Sequence, residues 1–103
     1  MTDQIKLDSK DYSEQTLHSA IHGENPHLKP QLAVVLLKAK LGAAAEEHLA
    51  SIASNEALDV RTRLAAIKEL ADFDGAKPVL KTLSQSRNEL IAQSASQVLQ
   101  DRE

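Results

Sequence analysis

Few residues in this chain have the type and spacing to do chemistry. His18 and His22 stand at i and i+4, a separation that can bring two imidazoles to one helix face for a metal ion, and His27 is near enough in sequence to add a third ligand. The run is HSAIH, without the glutamate that zinc proteases carry beside the first histidine. Leu17, Ala20 and Ile21 claim the buried side of that helix, so surface histidines are expected and no metal. Glu46 and Glu47 open a later helix, where negative charge suits the N-terminal end of the macrodipole. A catalytic carboxylate pair would need a further polar partner and a pocket. There is no glycine-rich phosphate loop and no serine elbow, and with no cysteine there is no thiol nucleophile. The expectation is no catalytic residue, no cofactor and no enzyme.

Basic residues make the next constellation: Arg61, Arg63 and Lys68, then Lys77, Lys81 and Arg87. Glu69, Asp72, Asp74 and Glu89 are interspersed, and no aromatic is at hand on which bases could stack. The whole chain carries 12 basic and 15 acidic residues, a net charge of −3, where phosphate binding normally shows a basic surplus. Charge therefore argues against nucleic acid as a partner. The polar N-terminal run lacks the apolar core of a signal peptide, and the longest apolar run, 32–37, is too short to span a bilayer. A cytoplasmic protein without membrane contact is the expectation.

The elements that must position these residues are helices. At 103 residues one domain is expected. Only Tyr12 and Phe73 are aromatic, so the core must be Leu, Ile, Val and Ala, which suits thin helical layers. Residues 1–11 read as a flexible tail, with Ile5 and Leu7 as possible anchors, and 12–103 as the domain. Helices are expected at 13–22, 28–41, 44–54, 60–72, 76–85 and 89–100. Their apolar residues recur. Leu28, Leu32 and Val35, then Val60, Leu64 and Ile67, then Ile91, Ala95 and Val98 each have i, i+4, i+7 spacing, and the sets start 32 and 31 positions apart. Leu17, Leu49 and Leu80 keep the same ruler in the intervening helices. Two helices per period of about 31–32 residues predict a helical solenoid of about three hairpins.

The middle copy is the most specific. Asp59-Val60-Arg61, Leu64-Ala65-Ala66-Ile67, Leu70, the Asp72-Phe73-Asp74-Gly75 turn, and Ala76-Lys77-Pro78-Val79-Leu80 with Leu83 resemble a HEAT repeat. The match is similar to the short HEAT-like repeats named after phycobilin lyases. The resemblance implies an all-α, right-handed α-α superhelix of the armadillo-like kind, with the second helix of each hairpin lining the concave face. It also implies that Asp59 and Arg61 help join neighbouring repeats.

One helix is more apolar than a single buried stripe requires. In the run 32–37 and Leu41, a stripe needs Leu32, Val35, Leu36 and Ala39, so Val34, Leu37 and Leu41 are surplus. Either the N-terminal tail or the flanking hairpins cover them, or they form an exposed patch that meets a partner or a second copy of this chain. The functional expectation is a protein-interaction scaffold. A peptide or helix would lie on the second helices, touching Val34, Leu37, Lys38 and Leu41 at an apolar end and Arg63 and Lys68 at a charged end. The alternatives are an accessory or chaperone-like subunit of a lyase-type enzyme, which the resemblance suggests, and a HEAT-like clamp on nucleic acid.

Overall fold

Ser13 opens the first helix. Its backbone is extended and its hydroxyl oxygen accepts the Thr16 N–H at 3.1 Å, an N-cap for α1 (Glu14–Ile21). The computed structural model describes residues 12–102; the tail expected at 1–11, with Ile5 and Leu7, lies outside them. At the far end of α1, Gly23 takes a φ of 78°, its N–H donates to the Ala20 carbonyl, and the Glu24 N–H reaches back to Ser19. This paired closure needs a residue without a Cβ at Gly23.

The turn that follows is set by side chains. Asn25 Oδ1 accepts the His27 N–H at 2.9 Å, and Lys29 is extended before Pro30. Helix α2 (Pro30–Leu41) therefore starts two residues later than the apolar pattern suggests, with proline at a position whose missing N–H costs nothing. Gly42 ends α2 with a positive φ of 57° and a ψ of −126°. That conformation makes a sharp bend, which leads through a 3-10 turn, Gly42–Ala44, into α3 (Ala45–Ser54). The Asn25 device recurs at Asn55, whose Oδ1 accepts the Ala57 N–H, and Asp59 then accepts the Arg61 N–H to cap α4 (Val60–Leu70). A second 3-10 turn, Asp74–Ala76, leads into α5 (Lys77–Leu83). Ser86 takes the asparagine's part in the last turn. Its oxygen accepts the Asn88 N–H, and Asn88 caps α6 (Glu89–Arg102) by accepting from Leu90 and Ile91.

The described residues contain helices and turns and no strand, and no helix among them is long and apolar enough to cross a membrane. Helices α2, α4 and α6 pack side by side. Helix α1 packs on α2, α3 on α2 and α4, and α5 on α6 and more lightly on α3. The result is elongated, 48 × 25 × 19 Å. Leu17, Leu49 and Leu80 are all fully buried, one in each of α1, α3 and α5.

The second helices keep a different register from the expected one. They begin at Pro30, Val60 and Glu89, steps of 30 and 29 positions instead of 32 and 31. The residues just ahead of those starts, Lys29, Asp59 and Asn88, keep the same steps, and the burial pattern follows them. On this ruler Leu32, Thr62 and Ile91 correspond, as do Leu36, Ala66 and Ala95, and each triplet faces inward. Val35, expected in the buried stripe, is 42% exposed. Thr62 is only 1% exposed and its hydroxyl finds no partner among the described residues, whereas its counterparts are apolar. Thr62→Val keeps the shape and removes an unsatisfied buried group, so it is expected to raise stability by about 1 kcal/mol, read as a higher thermal midpoint.

Candidate functional site

The apolar surplus of α2 is core. Val34 and Leu37 are fully buried, because α2 is flanked by α1, α3 and α4 and has little free circumference. Of the two alternatives for this surplus, covering by the flanking helices is the one found; Val34 and Leu37 form no exposed patch, and Leu41 is half-buried against the core. Lys38, expected to meet a partner, is engaged inside the chain. Its ammonium lies 3.2 Å from Glu69 Oε1, hydrogen-bonds Asp72, and sits 5.9 Å from the Phe73 ring centroid. The hydrogen bond to Asp72, with help from Glu69, holds its pKa above the ordinary lysine range despite some burial. This clasp contributes stability at neutral pH that is lost as the pH rises through that raised value.

Arg63 also leaves the expected surface. It is 6% exposed, and its Nε donates to the Ala53 carbonyl at 2.9 Å. That carbonyl lies in the last turn of α3, where helical partners run out and a cation is favoured. Arg63 thus joins α4 to the end of α3, the helix just before it in the chain, which is not the link between neighbouring repeats that the family resemblance implies for Arg61. The Arg61 side chain is exposed, and Asp59 caps its own helix.

Of the residues named for partner contact, Lys68 alone stands on an open surface. It lines a groove of about 570 Å³ between α4 and α6 with Leu64, Leu90, Gln93, Gln97, Val98 and Asp101. Leu90 is the most exposed large aliphatic residue among those described, at 57%. The corrected register shows why the groove is here and not one step back. Lys68 is the counterpart of Lys38, and Val98 and Asp101 are the counterparts of Glu69 and Asp72. Across α2 and α4 the lysine meets two carboxylates and the seam is clasped. Across α4 and α6 one carboxylate has become Val98, and Asp101 accepts instead from Gln97 Nε2 at 3.0 Å. The counterparts of Leu90 are Gln31 and Arg61, so an aliphatic residue at a polar position was the signal in the sequence; the 31–32 ruler hid it.

Of the histidines singled out, His22 and His27 are exposed. His18 instead approaches Glu14 and His48, and these three are the only residues among those described that could gather around a metal ion. The chain matches no family model, no curated protein and no solved structure.

Proposed function

We propose that this chain is a short HEAT-like α-solenoid of three hairpins that acts as a non-enzymatic docking module for a protein partner, and that the partner's contribution is an amphipathic helix laid in the α4–α6 groove. The side-by-side packing of α2, α4 and α6, and the burial of Leu17, Leu49 and Leu80 at successive steps, support the repeat reading. What carries the docking reading is Leu90, a mostly exposed leucine on the rim of a groove lined by Leu64 and Val98. A cleft between two packed helices accepts the side-chain ridge of a third. Lys68 on one wall and Asp101 on the other offer one charge of each sign, which suits a helix with an apolar stripe and mixed-charge flanks.

A photoreactive phenylalanine analogue placed at position 90 tests this in cells of the native host. The expected result is a discrete adduct with a protein, and none from the same group at Lys81 on α5. Adding Val98→Glu gives Lys68 the carboxylate that Lys38 finds in Glu69, and is expected to cut the adduct about tenfold with helicity unchanged, a loss of about 1.4 kcal/mol. Absence of a position-specific adduct, or an adduct indifferent to Val98→Glu, overturns the proposal. An adduct between two copies of this chain replaces the foreign partner with self-association.

A further inference from the structure

Away from the groove, α1 and α3 bring three metal-ligating side chains together. Glu14 and His18 are at i and i+4 and share a face of α1; His48 arrives from α3. Glu14 Oε2 lies 3.5 Å from His18 Nε2 and 3.9 Å from His48 Nε2, and the imidazole centroids are 5.2 Å apart. One donor atom from each of the three residues lies within 4.8 Å of the other two. The histidine side chains are 35% and 36% exposed, so an ion can reach them and keep a water.

We propose that Glu14, His18 and His48 bind zinc or a chemically similar divalent transition ion that ties α1 to α3. An ion with four ligands at about 2.0–2.2 Å holds neighbouring donors roughly 3.3–3.5 Å apart. The Glu14–His18 separation already has that value; His48 must close by a few tenths of an ångström on the carboxylate, and the two imidazole donors, which lie within 4.8 Å of each other, by up to about 1.3 Å through side-chain rotation. Two neutral imidazoles and one carboxylate make a donor set that leaves a fourth position for water. Nitrogen donors favour zinc and its neighbours over magnesium or calcium, which take oxygen. A Glu–His pair at i, i+4 is ordinary on a helix surface. A histidine from a different hairpin aimed at the same carboxylate oxygen does not follow from helix periodicity. Helix α1 packs chiefly on α2, so the ion would add a direct tie between α1 and α3.

The test uses the full chain without a polyhistidine tag. Calorimetric titration with Zn²⁺ is expected to show one ion per chain, and Co²⁺ to give the visible absorption of a four-coordinate site. His18→Ala and His48→Ala should each weaken Zn²⁺ binding by about tenfold or more, with His22→Ala unchanged. All three side chains are partly or fully exposed, so helicity and the metal-free melting temperature should hold in each variant. Zn²⁺ should raise the melting temperature of the wild type and not that of His48→Ala. No saturable binding, or binding that survives His48→Ala, overturns the proposal. An equal loss in His22→Ala also overturns it, because the ion would then sit on α1 alone.

Discussion

Leu37→Lys is expected to destabilise the whole fold severely rather than to trim a surface contact. Leu37 is fully buried in a helix hemmed in by α1, α3 and α4. An ammonium there must shed its water or lose its proton. The acids that face α2, Glu69 and Asp72, are already held by Lys38. An unpaired buried charge costs about 3–5 kcal/mol, against a total stability of about 5–15 kcal/mol for a domain of ordinary stability. Thermal melting followed by circular dichroism should fall by more than about 15 °C. A variant that keeps its helicity and its midpoint would return Leu37 to the surface and reinstate the patch on α2.

Leu49→Ala is expected to cost about 2–5 kcal/mol. Leu49 is fully buried in α3, which packs on α2, α4 and more lightly on α5, so its truncation leaves a cavity inside the core. Short helices of this kind have little stability of their own, so neighbours cannot absorb the loss independently. Leu64→Ala is the internal contrast. That side chain is only partly buried and lines the groove, so its truncation should cost less than half as much. Urea denaturation of the two variants measures the difference through the shift in midpoint at constant slope. Equal losses would mean that Leu64 is as enclosed as Leu49.

How much of this was legible depended on which residues carried the signal. The first helices could be read from large leucines alone, since Leu17, Leu49 and Leu80 are each the buried centre of a short helix. The second helices could not. Aligning Leu28, Val60 and Ile91 by their apolar character ignored Asn25 and Asn55, whose turns fix where the helices start. Leu28 belongs to a turn and Val60 to a helix, so the ruler slipped by about two residues and turned the wrong face of α2 to solvent. Arg63 was misplaced for another reason. Charge suggests a surface, but a guanidinium can be buried when a helix-end carbonyl receives its hydrogen bond, as Ala53 does here. The approach of His48 to Glu14 pairs residues from different hairpins, and no periodicity within one helix contains it.

Val98 at the place that Glu69 holds in the other seam bears on how such a protein can tolerate change. With Val98 where the other seam has Glu69, one side-chain difference leaves one seam unfastened while the other stays shut. The architecture survives because the leucines beneath are untouched. A chain of this design can acquire a new acquaintance, or lose an old one, at one position and without rebuilding anything else.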